Sequence, residues 1–225
     1  MKRFISVSLL LSHYLLMGQT IRSTIIFEDH FDSLSEKNWK VEMDPQPGSS
    51  VTTSNNEMIL NTKGGVTVWL NRSLSGHYRI TFTRTILVNN EPNDRCSDMN
   101  FFWNAQDSHN SLFFRRRGVL QEYDSLTLYY AGIGGNTNKT SRFRRYNGKG
   151  DRVLLQEYLD KEHLLIPNTP YTVMLEVNNG KSELWINGKL FFEFQDPEPI
   201  LQGYFGFRST YSRQSITDFK LIQFE

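Results

Sequence analysis

The chain of 225 residues has one cysteine, Cys96, and only seven prolines. A single cysteine excludes an intramolecular disulfide, and it leaves no cysteine cluster that would bind zinc. Sustained helical periodicity is missing, and so is an apolar run long enough to cross a bilayer comfortably. These absences exclude a disulfide-stabilised miniprotein and a helical bundle. They favour a domain of ordinary size that is stabilised by burial of apolar surface.

Residues 1–18, MKRFISVSLLLSHYLLMG, have the composition of a secretory signal peptide. Lys2 and Arg3 form a positive n-region, the following residues are mostly apolar, and Gly18 is a small residue suited to the last position before cleavage. The apolar run is short for a transmembrane helix, so a membrane anchor is the weaker alternative. We therefore expect a periplasmic or secreted protein with a single domain over residues 19–225.

Charge is nearly balanced overall but unevenly distributed along the chain. Loss of the signal peptide removes two basic residues and no acid, so 25 basic and 24 acidic side chains become 23 and 24. Between Arg115 and Arg152, nine Lys or Arg accompany three acids, which gives this segment about +6 and the rest about −7. Such a basic segment predicts an anionic partner, and in an exported protein acidic polysaccharide or oligosaccharide is favoured over nucleic acid.

Short strand patterns recur along the whole chain. In residues 77–88 large apolar and polar side chains alternate, which is typical of a half-buried strand. Residues 171–194 contain Asn179-Gly180 and Asn187-Gly188, two dipeptides that predict tight turns in a three-stranded meander. Many short strands with Gly, Asn and Pro between them indicate an all-β, two-sheet antiparallel sandwich or jelly roll.

Several of these stretches resemble known proteins. The segments IIFEDHF, LEVNNGKSELWINGKLFFEFQDPEPILQGYFGFRS and ITDFKLIQF resemble concanavalin-A-like jelly-roll domains of glycan-active exported bacterial proteins. More specifically, GGVTVWLN, NDRCSDMNFFWNAQD, LYYAGIGGNTNKTSRFRRY and LLQEYLDKEHLLIPNTPY resemble a Bacteroidetes domain-of-unknown-function family, number 6250. The resemblance implies a concanavalin-A-like jelly-roll sandwich with a concave face. Relatives of that fold include lyases, hydrolases and lectin-like binders, and fold alone does not choose among them.

Strand polarity in three central segments predicts a glycan site. If residues 98–105, 126–130 and 142–146 form neighbouring strands, polar and aromatic side chains share one surface, with Tyr129 on that surface and Tyr130 in the core. Guanidinium groups bind carboxylates through paired hydrogen bonds, amides satisfy sugar hydroxyls, and aromatic rings cover apolar sugar faces. The predicted catalytic residues are Asn100, Arg142, Arg144 and Tyr146, and the predicted substrate-binding residues are Arg95, Asp98, Trp103, Tyr129 and Asn136.

The chemistry that these residues favour is elimination on a uronate. Arginine and amide groups would neutralise the sugar carboxylate and acidify the neighbouring C–H, and a tyrosine or histidine would remove that proton. Tyr146 is the first candidate because nearby cations favour a phenolate, and His163 is another candidate base. The alternative for the arginines is a solvated surface role in ion pairs. A non-catalytic carbohydrate-binding domain would use the same arginines and aromatics, so it is the competing class.

A glycoside hydrolase would need two opposed carboxylates about 5 to 10 Å apart. No strand pattern places two acids side by side, so hydrolase ranks below lyase. Asp94 and Asp98 flank Arg95, and they are expected either to pair with it or to hold the loop through a cation. The candidate acids are Asp94, Asp98, Glu122, Asp124, Glu157 and Asp160.

No cofactor is predicted, with a structural calcium ion as the one alternative considered. Glu28 and Asp218 are expected on paired terminal strands, where their carboxylates would be the calcium ligands. The glycine-rich stretch GIGGN precedes no amphipathic helix, so it predicts a turn and not a phosphate-binding loop. The sequence leaves the sugar, the linkage and the oligomeric state open.

Overall fold

The computed structural model describes residues 22–225, and the predicted signal peptide and its cleavage site lie outside this range. Two antiparallel sheets pack face to face, which confirms the all-β, two-sheet jelly-roll prediction. The strands are β1 (Ser23–Asp29), β2 (Trp39–Met43), β3 (Ser50–Ser54), β4 (Glu57–Thr62), β5 (Val66–Ser75), β6 (Tyr78–Leu87), β7 (Met99–Gln106), β8 (Thr127–Gly134), β9 (Thr140–Asn147), β10 (Arg152–Tyr158), β11 (Pro170–Asn178), β12 (Lys181–Ile186), β13 (Lys189–Gln195), β14 (Gln202–Ser209) and β15 (Ser212–Phe224).

The two sheets have distinct strand orders. The seven-stranded front sheet has the order β10-β9-β8-β7-β14-β5-β2. The eight-stranded back sheet has the order β13-β12-β11-β6-β15-β4-β3, and β1 also pairs with β15. Neighbours in space are often distant in sequence, as expected where strands are joined by crossovers between two layers.

The core lies between the sheets and is built from the alternate, inward-facing residues of both. The Phe82 ring of β6 meets Phe207 of β14 edge to face, with centroids 4.9 Å apart, and it meets Phe101 of β7 in the same way at 5.7 Å. All three side chains are at most 1% exposed. Burial of one such ring stabilises the fold by roughly 1.5–3 kcal/mol, so this layer holds the front sheet in place.

The predicted three-stranded meander over residues 171–194 is confirmed, and so is the predicted pairing of the terminal strands, because β1 pairs with β15. β11, β12 and β13 form consecutive antiparallel hairpins. Asn179 and Asn187 have φ of 47° and 50°, the left-handed conformation that Asn tolerates in tight turns.

Helical structure is confined to short turns within the described residues. They are the 3-10 helices Leu120–Ser125 and Lys161–His163 and the four-residue turn Gly135–Asn138. No helix in residues 22–225 has both the length and the apolarity to cross a lipid bilayer.

Candidate functional site

The outer face of the front sheet, which is the face turned away from the core, carries the candidate site. β7, β8 and β9 are neighbours there, as the sequence predicted. On β9 the Phe143 side chain packs into the core, whereas Arg142, Arg144 and Tyr146 project to the outer face. Period-two alternation therefore gives one strand an apolar face and a cationic, aromatic face.

Cross-strand register decides which outer-face side chains meet. Residues that are directly opposite on neighbouring strands lie about 5 Å apart, so a row of paired residues forms a continuous surface across the sheet. Two such rows cross the site, and they bring together positions more than a hundred residues apart in some cases. The rows are Arg142–Gly132–Asn100–Arg208 and Arg144–Tyr130–Phe102.

A cleft of about 450 Å³ opens on these rows. Tyr130, Gly132 and Arg152 line it together with Leu120 from the connection between β7 and β8. Seven of the nine predicted site residues also line it. These seven are Arg95, Asp98, Asn100, Asn136, Arg142, Arg144 and Tyr146.

Three of the four arginines in the cleft wall form ion pairs. In each pair the nearest nitrogen and oxygen are within normal hydrogen-bonding distance, so most of the cleft's arginine charge is balanced locally. The ion-pair alternative considered for the arginines therefore describes these three. The pairs are Arg95–Asp98 (2.6 Å), Arg142–Glu157 (2.5 Å) and Arg152–Asp124 (2.6 Å).

Arg144 differs from these three because it has no carboxylate partner within residues 22–225. Its Nη1 donates to the backbone oxygen of Arg152 at 2.9 Å, which orients the guanidinium across the cleft. Arg208, behind the cleft floor in the same row as Asn100, likewise has no acidic partner among the described residues. Arg208 is buried and does not line the cleft, so Arg144 alone gives the cleft wall a guanidinium without an acidic partner in this region.

Two tyrosines lie side by side in the cleft, with Tyr130 and Tyr146 ring centroids 6.0 Å apart. A Cβ on Gly132 would clash with the Tyr130 hydroxyl, so the ring lies over this glycine and only glycine leaves room for it. No hydrogen bond within residues 22–225 holds either hydroxyl, whereas the buried hydroxyls of Tyr78 and Tyr123 donate to Asn104 and Glu42 respectively. Tyr130 is partly exposed, so its hydroxyl is available to a ligand, whereas Tyr146 is only 1% exposed and its ring packs against Phe102.

Burial sets the protonation of both cleft tyrosines. It raises the pKa of Tyr146, and the nearby guanidinium of Arg152, 5.4 Å from the ring centroid, offsets only part of that effect. Burial likewise raises the pKa of Tyr130, and the neighbouring Tyr146 adds to the increase. The prediction that cations favour a Tyr146 phenolate is therefore wrong, because desolvation outweighs the attraction of the arginines.

Two neighbouring polar side chains, Asn100 at the cleft floor and Arg208 beside it under the connection between β7 and β8, are buried with atoms that lack partners. Asn100 is 3% exposed and its Oδ1 has no hydrogen bond, and Arg208 is fully buried with Nε and Nη2 unpartnered. Arg84 is buried to the same extent, yet its guanidinium donates from Nε, Nη1 and Nη2 to Gln214, Asn100 and Arg208 oxygens. Buried polar groups are usually satisfied, so the Asn100 Oδ1 marks a point on the cleft floor where a hydrogen-bond donor of a ligand would fit.

The rim of the cleft is a left-handed turn at residues 134–138. Asn136 has φ 53° and ψ 47°, and Thr137 has φ 59° and ψ 55°. This conformation is rare for a β-branched residue and costs on the order of 1–2 kcal/mol. Asn138 holds the turn by accepting from the backbone N–H of Leu165 and donating to its oxygen, each at 2.8 Å. The turn presents the exposed side chains of Asn136 and Thr137 to the cleft.

The other half of the outer face is covered. The connection between β7 and β8, residues 107–126, folds back over β14 and β5, and we refer to it as the covering segment. Its Phe113 packs on Trp69 of β5 at 5.0 Å, and its Tyr123 packs on Phe102 of β7 at 5.4 Å. All four rings are at most 7% exposed, so the covered half is a second small core.

Glu42 of β2 fixes the far end of the covering segment. Its carboxylate is 4% exposed and accepts from the backbone N–H groups of Arg115 and Arg116, both at 2.7 Å. It also accepts from the indole of Trp69 at 2.7 Å and the hydroxyl of Tyr123 at 3.0 Å. A buried carboxylate with four donors is stable only while the segment stays in place.

Two predicted substrate-binding residues lie away from the cleft. Trp103 is 1% exposed between the sheets, and its indole donates to the Ser182 hydroxyl of β12 at 3.0 Å, so burial excludes it as a stacking platform. Tyr129 is also 1% exposed in the core, and its hydroxyl donates to Asp196 at 2.5 Å. The assignment of Tyr129 to the outer face and Tyr130 to the core is therefore wrong.

The error on β8 has a physical cause. The covering segment buries the outer face of β8 at Leu128 while the back sheet buries its inner face, so apolar residues occur on both faces and polarity does not reveal direction. A related departure concerns Asn104, which follows Asn100 and Phe102 in the alternation of β7 and would by that pattern face the site. A bulge after Trp103 turns Asn104 inward, where it donates to the Ile200 oxygen at 2.6 Å.

The remaining candidates lie in other surroundings. Asp94 pairs with Arg213 at 2.7 Å and not with Arg95, whereas Asp98 pairs with Arg95 as expected. His163 is not part of the cleft wall, and its Nδ1 donates to the Asp160 carboxylate at 2.7 Å. No group of three or more His, Cys, Asp or Glu side chains in residues 22–225 is arranged to hold a metal ion. Calcium binding at Glu28 and Asp218 stays an untested prediction.

Arg208, the neighbour of Asn100 on β14, was not predicted, and neither were eight of the residues that line the cleft. These eight are Leu120, Tyr130, Gly132, Gly135, Thr137, Thr140, Arg152 and Thr210. One sequence feature could have revealed Arg208. In GYFGFRS, Phe205 and Phe207 alternate inward, so Arg208 must face outward from the middle of a buried strand. The others depend on register and on the covering segment.

Comparison with known proteins agrees with this architecture. The family model of a domain of unknown function, DUF6250, matches residues 60–219, which include β5 to β14 and the whole cleft. The chain belongs to this family. No curated protein matches the chain.

Solved structures share the fold at low sequence identity. A Bacillus subtilis protein of unknown function with a galectin-like fold is 17% identical with a TM-score of 0.71, covering 91% of this chain and 98% of that one. The carbohydrate binding module CBM66 from Bacillus subtilis is 11% identical with a TM-score of 0.58, covering 82% and 95%. An endo-β-1,3-glucanase from Pyrococcus furiosus is 10% identical with a TM-score of 0.60, covering 90% and 95%. At these identities the likeness shows the fold alone.

Proposed function

We propose that this DUF6250 protein binds an acidic, uronate-bearing glycan in the cleft and cleaves it as a lyase. The observation that carries the proposal is that Arg144 has no carboxylate partner in a cleft that Tyr130, partly exposed, and Tyr146, almost fully buried, also line. A guanidinium without an acidic partner is suited to bind a ligand carboxylate. The carbohydrate-binding and glucanase neighbours on the same fold make sugar the favoured ligand class.

The chemistry follows from the groups present. With the uronate carboxylate on Arg144, its negative charge is neutralised and the adjacent C5–H becomes more acidic. A tyrosine phenolate takes the C5 proton, the C4–C5 double bond forms, and the C4–O bond breaks. The same tyrosine, now a phenol, gives its proton to the leaving oxygen. Tyr146 and Tyr130 are the candidates. Because burial raises the pKa of both, we expect turnover to increase toward alkaline pH.

Hydrolysis is less well supported by the cleft. Of the six candidate acids, only Asp98 lines the cleft, and it is paired with Arg95. Glu157 and Asp124 pair with arginines at the cleft edge. A glycosidase needs two carboxylates facing one sugar bond, and the described residues of the cleft do not supply them.

A non-catalytic binding domain is the second candidate, and the raised tyrosine pKa values favour it. At neutral pH both phenols stay protonated, so the cleft has hydrogen-bond donors but no ready base. Such a cleft would bind an acidic sugar without cleaving it. This candidate uses Arg144 in the same way as the lyase and differs only in turnover.

The experiment incubates the purified protein with a panel of acidic and neutral polysaccharides over neutral to alkaline pH. Ultraviolet absorbance of a new unsaturated uronate, followed together with product chromatography, would establish the lyase. New reducing ends without that absorbance would contradict it in favour of hydrolysis. Retention on an acidic glycan in affinity electrophoresis, without any product, would contradict the lyase and favour the non-catalytic binding domain. Failure to bind every acidic glycan would overturn the whole proposal.

The same proposal places the protein outside the cytoplasm, either in the periplasm or secreted. It is supported by the signal-like composition of residues 1–18. Fractionation of cells that express the full chain, with N-terminal sequencing of the product, tests this. Product retained in the cytoplasm with residues 1–18 intact would contradict export.

A further inference from the structure

The cleft is walled on three sides. At one end of its strands lies the left-handed turn of residues 134–138, and at the other end lies Leu120. The third side is the covering segment over β14 and β5, under which Arg208 is fully buried. The remaining side faces the edge strand β10, where Arg152 lines the cleft and is partly exposed.

The covering segment is a fixed wall and not a loose flap. Phe113 stacks on Tyr204 of β14 at 4.3 Å and also packs on Trp69. Glu42 lies on β2, the edge strand opposite β10, and its carboxylate accepts from two backbone N–H groups of the covering segment. Opening this half would expose buried aromatic rings and leave a buried carboxylate without its donors, so the fold strongly favours closure.

The cleft also has the volume of a site for a small ligand. Pockets that enclose a small molecule are about 300–1,000 Å³, and about 450 Å³ lies in the lower part of that range. A polysaccharide that crossed the whole sheet would have to pass through the space occupied by Leu120, Phe113 and Tyr123. One or a few sugar residues fit between the walls, and the rest of the chain must leave over β10.

We infer that the cleft recognises the end of an acidic glycan chain and not an internal stretch of it. This inference rests on the proposed acidic glycan, and it adds the mode of recognition. The terminal sugar would lie against the closed side, near Asn100 and Tyr130, with its carboxylate on Arg144. Asn136 and Thr137 at the rim would contact the same sugar, so they would determine which terminal residue is accepted.

The test measures affinity and stoichiometry by calorimetry for oligosaccharides of galacturonate, mannuronate and guluronate, from the disaccharide to the polymer. End recognition predicts that affinity per chain reaches a plateau at short length and that the number of protein molecules per chain does not grow with length. A number of bound proteins that rises in proportion to chain length would overturn end recognition while leaving acidic glycan binding intact. No binding to any of these chains would overturn both.

A pair of leucine variants locates the closed end. Leu120→Trp adds bulk at the wall, and we expect it to weaken binding of the shortest binding oligosaccharide about tenfold or more. Leu112→Trp in the same segment is the matched control, because Leu112 is 63% exposed and is not part of the cleft wall. Equal affinities of the two variants would contradict a closed end at Leu120. The length series uses the wild-type protein, so it decides the question even if Leu120→Trp fails to fold.

Discussion

The two halves of the front sheet's outer face differ in how their polar groups are satisfied. In the covered half, buried Arg116 donates to the oxygens of Phe113 and Glu122 and pairs with Asp107. In the open half, Arg144 makes one hydrogen bond, to a backbone oxygen. Both arginines belong to the same basic region of the sequence, so composition does not separate their roles.

The difference shows that partners, and not charge alone, distinguish a structural arginine from a binding arginine. The covered half satisfies its donors with Glu42, Asp107 and backbone oxygens, and it stabilises the fold. The open half leaves Arg144 without a carboxylate partner, and it leaves two tyrosine hydroxyls and the Asn100 Oδ1 without hydrogen-bond partners in the described chain. Unsatisfied groups that gather in one cleft are what a ligand would complete.

Alkaline pH should cause the largest decrease in the free energy of unfolding, and it should act through tyrosines in both halves of the outer face. Burial raises the pKa of Tyr123 in the covered half and of Tyr130 and Tyr146 in the open half, as well as of Tyr78 in the core. The folded state therefore keeps protons that the unfolded chain loses near pH 10, so the free energy of unfolding falls as pH rises above that value. Each such tyrosine lowers the free energy of unfolding by up to about 1.4 kcal/mol for each pH unit above its unfolded pKa. Urea unfolding curves from pH 8 to beyond 10 measure this, and a constant free energy of unfolding would contradict it.

Glu42→Gln tests the covered half by itself. The amide keeps one acceptor oxygen but places a donor against the N–H groups of Arg115 and Arg116, so buried donors lose their partner. We expect a loss of about 3 kcal/mol in the free energy of unfolding, measured by chemical denaturation. Glu36→Gln is the control, because Glu36 is exposed on the neighbouring loop. Equal stability of the two variants would mean that the covering segment does not depend on Glu42.

Removing single hydroxyls compares the two halves directly. Tyr123→Phe deletes a buried hydrogen bond to Glu42 and should cost about 1–2 kcal/mol of stability. Tyr130→Phe removes a hydroxyl that has no partner in residues 22–225, so stability should hardly change while affinity for acidic glycan falls. Thermal unfolding and calorimetry report the two quantities. The comparison breaks down if Tyr130→Phe destabilises the protein as much as Tyr123→Phe.

The rim turn should give the smallest effect. Thr137→Gly relieves the left-handed strain but increases the entropy of the unfolded chain, so we expect stability to be unchanged or to rise by up to about 1 kcal/mol. Thr127→Gly, in β8, offers no such relief and should lower stability by about 1 kcal/mol. Thermal unfolding of the two variants side by side is sufficient. Similar losses in both would show that Thr137 is not strained.

Much of the fold and part of the site were predictable from the sequence. The turn dipeptides at residues 179–180 and 187–188 specify the meander because Asn and Gly adopt positive φ. On β9 the alternation of Phe143 with Arg142 and Arg144 reveals the site face, since only one face of that strand packs against the core. Polar alternation is informative wherever one side of a strand meets solvent.

The rest depended on long-range structure. Part of β8, at Leu128, is buried on both faces, so the pattern of apolar residues did not indicate that Tyr130, and not Tyr129, lines the cleft. The bulge after Trp103 reversed the direction of Asn104, and a bulge leaves no mark in the pattern. The ion pairs of Arg142 and Arg152 could not be foreseen either, because their partners come from other positions that only the register identifies.

The most direct test of the account compares Arg144→Ala with Arg117→Ala for binding of the acidic glycan that the panel identifies. Arg117 belongs to the same basic region, but its side chain is 79% exposed, pairs with Glu122 and is not part of the cleft wall. We expect Arg144→Ala to weaken binding at least about tenfold with little change in thermal stability, whereas Arg117→Ala should bind like the wild type. Equal affinity of the two variants, or a large loss of stability in Arg144→Ala, would contradict it.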